Sequence, residues 1–294
     1  MNITSLPGLT AKDGWLRAYA REVARRRRTA LLMLAALAVL AAVAGHVAQV
    51  QPGLLVAQIG GFMSYIHRIL PTLSAAHPVH DVAEWYWGLG RWLVLLLQTI
   101  LIAYLGTLFG SLGAFVLSFL AAANLTPAPA VRFISRRLLE FCRTVPDMVF
   151  ALLFVIAFGI GPMAGVFALA IHTTGALGKL FSEVVENIDM KPVDGILSAG
   201  GSWRQTVRFA ALPQVLPNFA SYAMLRFDIN VRGASIMGFV GAGGIGEQLM
   251  VAIRQFYYTD VSAILLLILL TVMLIDLASE RLRHALIGPT RGAA

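Results

Sequence analysis

Ionisable side chains stand inside otherwise apolar stretches of this chain: Glu140, Arg143 and Asp147 in one, His172 in a second, and Arg226, Asp228 and Arg232 in a third. A charge in an apolar helix is costly unless it faces a partner or a water-filled cavity. Two uses fit these residues: pairing helices, or passing an anion along a pathway. Asp228 and Arg232, four apart, share a helix face, whereas Arg226 and Asp228, two apart, do not. His172-Thr173-Thr174 suits hydrogen bonding across helices. No second histidine stands at ligand spacing, so a metal site is not expected. Cys142 is the single cysteine, which excludes an internal disulfide and a thiolate cluster. Gly241-Ala-Gly243-Gly244-Ile-Gly246 has the form of a dinucleotide fingerprint, but an apolar run precedes it instead of a strand in a βαβ unit. Its expected use is a flexible outward loop or re-entrant turn at the exit of the fifth span. No Ser/His/Asp set, paired carboxylates or P-loop lysine appears, so the chain is not expected to be an enzyme or to bind ATP or another cofactor.

The elements that must hold these groups are membrane helices. The chain is 58% hydrophobic and 13% charged, with a mean hydropathy of +0.77, where soluble domains carry about 25% charge. Runs of about 20 apolar residues cross the hydrocarbon layer. Six spans are expected, at about Thr29–Val50, Trp92–Ala122, Leu138–Phe158, Pro162–Phe181, Pro213–Val240 and Val261–Ser279. The second exceeds what a bilayer needs and should tilt or project into water. Trp85, Tyr86, Trp87 and Trp92 form an interfacial belt before it. Gly159-Ile-Gly-Pro162 reads as a tight turn between the third and fourth spans. Residues 11–28 read as an amphipathic helix in the headgroup plane, with membrane lipid as its partner. Residues 51–90 form a second segment, with a short amphipathic helix around Ile59, Phe62, Met63 and Ile66.

The net charge of +8 is no sign of nucleic-acid binding, because arginines such as Arg25–Arg28 cluster where apolar runs end. Residues 1–28 share one side with the loop bearing Arg132, Arg136 and Arg137. Lys191, Arg204 and Arg208 join them, as do Arg281, Arg283 and Arg291. Only scattered bases such as Arg68, Arg91 and Arg254 fall opposite. The positive-inside rule then puts both termini in the cytoplasm. The organisation expected is a segment 1–28, a first span with its outward segment 29–90, a core 91–285 and a tail 286–294.

Between the fourth and fifth spans, residues 189–217 are laid out regularly. Pro192 suits a first helical turn and Asp194 its positive end. Gly195 and Ile196 follow, and Gly200 and Gly201 supply a left-handed stop. Trp203, Val207 and Phe209 mark a second short amphipathic piece, and Leu212-Pro213 and Pro217 open the next span. This predicts a rigid helix–glycine–helix elbow.

The elbow resembles the EAA loop of ABC importer permeases, which has an acid, a glycine six residues on, and a Leu-Pro a dozen beyond. Asp194, Gly200 and Leu212-Pro213 stand at those positions, with Asp-Gly-Ile in place of Glu-Ala-Ala. Val149-Phe-Ala-Leu-Leu-Phe-Val, Gly159-Ile-Gly-Pro-Met-Ala-Gly-Val, Ile171-His-Thr-Thr-Gly-Ala-Leu, Arg226-Phe-Asp-Ile-Asn-Val-Arg232 and Phe239-Val-Gly-Ala-Gly-Gly-Ile-Gly246 are similar to the phosphonate-importer permease. The resemblance covers about residues 90–285. It implies an all-α type I importer fold (MetI-like) in the bacterial inner membrane, a homodimer around a shared channel, and alternating access. It also implies a periplasmic substrate-binding protein and separate ABC ATPase subunits that dock on the elbow. Alternatives are the same architecture carrying phosphite, phosphate or an amino acid. A secondary transporter, expected to show inverted repeats, and a membrane enzyme stand further off.

Overall fold

The computed structural model describes residues 7–72, 74 and 76–287, all of its regular structure helical. Residues 1–6 of the expected N-terminal segment and residues 288–294 of the expected tail, Arg291 among them, lie outside the described residues. The chain divides into two units, residues 1–66 and 67–294.

The first unit holds α1 (Pro7–Val47) and most of α2 (Pro52–Ile69). The basic segment and the first span are one helix rather than two: α1 runs for 41 residues without a break at Thr29. No glycine or proline interrupts Trp15–Ala44, so nothing in the sequence stops the turn from propagating. At 1.5 Å per residue α1 is about 60 Å long, twice the hydrocarbon thickness. Its basic part therefore extends the span instead of ending beside it. Gly45 and a left-handed Gln49 (φ 54°) close the helix. The short helix expected after Gln51 is present as α2.

The second unit is a bundle. It comprises α3 (Pro78–Trp85), α4 (Leu89–Ala121), α5 (Pro129–Thr144), α6 (Asp147–Phe158), α7 (Pro162–Glu186), α8 (Lys191–Ser198), α9 (Trp203–Thr206), a π-helical turn (Val207–Ala211), α10 (Leu212–Met237), a 3₁₀ turn (Gly238–Val240), α11 (Ile245–Arg254) and α12 (Tyr258–Ile287). Among the described residues, four helices are long and apolar enough to cross a membrane, and two bent pairs bring the number to six if each is one span.

The seam of the bundle is α4 against α7. Gly106, Gly110 and Gly113 line one stripe of α4. A Cβ on Gly106 would come within 2.5 Å of Leu169, one on Gly110 within 2.5 Å of Thr173, and one on Gly113 within 2.8 Å of Thr174. Small residues at every first and fourth position let backbones approach where lipid offers no hydrophobic drive for helices to associate. α10 lies across this pair. Around it stack three apolar clusters: Phe119, Phe181, Val193 and Phe219 at one end, Ala168, Leu169, Val231 and Met237 in the middle, and Trp92, Ile245, Leu249 and Ile264 at the other.

Two expected spans differ. Leu138–Phe158 is not continuous: α5 and α6 meet at 86°. Val145 precedes Pro146, and the proline ring pushes it out of the helical region (φ −75°, ψ 124°). α6, with 12 residues, is about 18 Å long and cannot cross alone. The fifth span also does not open at Pro213 and Pro217. The helix runs on from Trp203, and Pro217 lies inside α10. The π turn directly ahead of Pro213 absorbs the missing N–H and the clash with the preceding carbonyls.

If the glycine stripe sets the seam, Gly110→Leu should lower the thermal midpoint of the detergent-solubilised protein by an amount matching about 1–3 kcal/mol of overpacking. Gly90→Leu, at a position with nothing within 4 Å of a Cβ, should leave it in place. Equal midpoints for the two variants would refute this.

Candidate coupling elbow and translocation face

The elbow is built as the sequence predicts. Pro192 and Asp194 lie in the first turn of α8. At its end the Gly201 N–H donates to Ile196 O (2.9 Å) and the Gly200 N–H to Leu197 O (3.0 Å), with Gly200 left-handed at φ 81°. This is a complete Schellman turn. Ser202 and Gln205 then form a capping box at the start of α9.

Contacts that the sequence did not predict fasten the elbow to the bundle. The Trp203 Nε1–H donates to Leu125 O (3.0 Å). Glu186, at the end of α7, accepts from the Ala123 N–H (2.9 Å) and from Arg136 of α5. Asn124 donates to Val185 O (2.8 Å), and Gln214 bonds with the backbone of Asp189. Val193 is buried against the Phe181–Phe219 stack. What α8 leaves outward is Asp194, Gly195 and Leu197, all exposed, beside a crevice of about 290 Å³ lined by Asn124, Leu125, Val193, Leu197 and Trp203. Leu212 and Pro213 sit in the helix behind the elbow. Only Trp203 gave a prior signal, as an aromatic on a short amphipathic piece; the partners of Glu186 depend on the fold.

The ionisable residues of the apolar helices resolve into two groups. Asp228, buried on α10, pairs with Arg232 one turn on (2.5 Å). Arg226, on another face of α10, donates through Nη2 to Nδ1 of His172 on α7. Asp147, at the start of α6, acts on both through space but lies outside the 4.0 Å ion-pair distance of either. It accepts from the Met148 N–H (2.9 Å), and its other oxygen faces Gly233 of α10. Arg143 does not join through its side chain, which is exposed at the end of α5; its backbone packs on Gly175. Below these groups Asn230, buried, donates to Thr107 (2.8 Å) and Thr173 (2.9 Å). This bridges α4, α7 and α10, and Asn230 carried no signal beyond being polar in an apolar run.

The glycine loop at the far end is a joint and not a flexible hinge. Gly241, Gly243 and Gly244 take left-handed φ near 80°, and residues 242–246 are buried. Gly161 donates to Gly241 O (2.9 Å) and Ile245 to the Thr99 hydroxyl (2.8 Å). A Cβ on Gly246 would lie 2.0 Å from Ser235 O. The loop thus ties the hairpin at 159–161, α4 and α10 together.

An all-helical bundle with an exposed elbow and partly charged spans defines an integral membrane transport component. Residues 114–288 match the family of binding-protein-dependent transport system inner membrane components, and the chain belongs to that family. It is 40% identical over 198 residues to a phosphate-import permease protein of Mycolicibacterium smegmatis, spanning 67% of this chain and 37% of that longer one. It is 32% identical over 271 residues to a permease protein assigned to a phosphite transport system of Stutzerimonas stutzeri, covering 92% of each chain. It is 49% identical over 116 residues to one assigned to a cryptic phosphonate transport system of Escherichia coli, covering 40% of this chain and 95% of that one. The fold matches a methionine ABC transporter in an inward-facing conformation with a TM-score of 0.56 at 18% identity, over 66% of this chain and 95% of that one.

Gly200→Val places a β-branched side chain at a left-handed position, a strain of roughly 1–3 kcal/mol. The variant should be cut faster by trypsin at Arg204 and Arg208, both exposed just past the turn, than the parent in a limited-proteolysis time course. Unchanged cleavage would mean that the Schellman turn does not hold the elbow.

Proposed function

We propose that this chain is the pore-forming permease subunit of an ATP-driven importer of phosphorus oxyanions, with phosphonates as its cargo. The observation that carries the reading is the elbow: the Trp203 bond to Leu125 and the burial of Val193 against Phe181 and Phe219 hold it to the bundle, yet Asp194, Gly195 and Leu197 stay uncovered. A rigid projection transmits a push, and an exposed acid with an open glycine beside it suits docking into a groove of an ATPase subunit. ATP is then bound and hydrolysed by that partner and not by this chain. Support for the cargo class comes from the span segments around Val149–Leu177 and Arg226–Gly246 and from the phosphate, phosphite and phosphonate systems of the relatives.

Two copies around a shared axis complete the channel. The arginines of α5, the elbow and the end of α12 support a cytoplasmic location for that end of the bundle, and the positive-inside rule applied along the chain supports the same side for both termini. A periplasmic binding protein delivers cargo at the opposite end. Closure of the ATPases drives the elbows together, and the helices rock as rigid bodies between outward and inward openings.

The test is complementation. A strain lacking this chain should lose growth on methylphosphonate as sole phosphorus source and recover it with the parent gene. Asp194→Lys should insert at parental levels, lose co-purification of the ATPase and fail to restore growth. Normal co-purification and growth would refute docking at Asp194. Growth rescue on phosphite or phosphate alone would move the cargo within the oxyanion class.

A further inference from the structure

Of the two charged arginines in α10, one is already closed. Arg232 has its carboxylate in Asp228, whereas Arg226 makes no ion pair among the described residues. Its Nε is buried without a hydrogen-bond partner, and its side-chain hydrogen bond goes to the imidazole of His172. A guanidinium only donates, so His172 Nδ1 must accept and the ring proton sits on Nε2, beside the Arg143 backbone. His172 is thereby fixed as a neutral imidazole that orients the guanidinium without cancelling its charge. The one nearby carboxylate among the described residues, Asp147, lies outside ion-pair distance of Arg226, with Oδ1 accepting from the Met148 N–H and Oδ2 against Gly233. A cation with an unused donor in an apolar helix is costly unless it faces an anionic partner or a water-filled cavity, and a pathway for anions supplies both.

We propose that Arg226 is an anion subsite within the span, taking the oxygens of a phosphorus oxyanion through the terminal guanidinium N–H groups that His172 leaves open, and that His172 is its positioning residue. This rests on the reading of the chain as an oxyanion importer permease. The fork of a guanidinium fits two oxygens of a tetrahedral phosphorus group, and one unpaired positive charge offers a resting place weak enough to leave. Arg232 is excluded from the role because Asp228 already occupies it.

The experiment uses the complete importer in cells, with concentration-dependent uptake of radiolabelled methylphosphonate, phosphite and phosphate and immunoblots of the membrane fraction. Arg226→Gln should accumulate normally and lower the maximal uptake rate about tenfold or more, the scale of one charge-assisted contact. The double variant Arg226→Gln/Asp147→Asn separates this from helix pairing. If Arg226 served only to balance Asp147, neutralising both would restore uptake; as an anion subsite, the double variant stays as low as the single one. For the positioning role, His172→Gln, which keeps an acceptor for the guanidinium and a donor for the Arg143 backbone, should retain most of the uptake that His172→Leu loses. Parental uptake in Arg226→Gln, rescue by the double variant, or failure of both to accumulate would each overturn the subsite. The first two of those results, with growth on the oxyanion intact, would leave the permease reading standing.

Discussion

Between two helices in hydrocarbon there is no water to expel, so the bundle depends on how closely backbones can come. The stripe Gly106, Gly110 and Gly113 on α4 answers that constraint: each glycine receives a side chain of α7, from Leu169, Thr173 and Thr174. Close approach strengthens dispersion and brings polar groups of neighbouring helices within hydrogen-bonding reach. Thr173 and Thr107 both meet Asn230 of α10 as a result. The third helix is thus joined to the first two by a buried polar node that exists only because the seam is tight.

The two ends of the bundle are built for stiffness. At one, positive-φ glycines at 241, 243 and 244 thread a buried loop between the 159–161 hairpin and Thr99. At the other, Glu186 gathers Ala123 and Arg136, and Trp203 reaches Leu125. A load applied to α8 is therefore shared with the ends of α4, α5 and α7. The proline between α5 and α6 adds the remaining feature: by turning the chain 86°, it sets Asp147 at the level of Arg226 and leaves α5 lying across α7.

Much of the functional layout was readable in order along the chain. Composition pointed to a membrane protein, arginine placement gave an expected sidedness, and Asp194, Gly200 and Leu212-Pro213 marked the elbow. These signals are local, since a helix start, a left-handed stop and an apolar run each depend on neighbours in sequence. Two local readings failed where a second local rule competed. Pro146 broke an apolar run long enough to be a span, and the π turn at Val207–Ala211 carried a helix through Pro213, where proline was taken to start one.

The sequence by itself determined that the chain is helical and membrane-spanning, where its elbow lies, and that Asp228 and Arg232 pair, because each follows from periodicity, charge or an i,i+4 spacing. Only the tertiary structure decided that Arg226 meets His172, that Asp147 approaches both without pairing, that Arg143 stands apart, and that the glycine loop is a packed joint. Those outcomes join residues from 25 positions (Asp147 and His172) to 146 positions (Thr99 and Ile245) apart. They are fixed by which helix faces touch, and no pattern along a single helix encodes the face its neighbour presents.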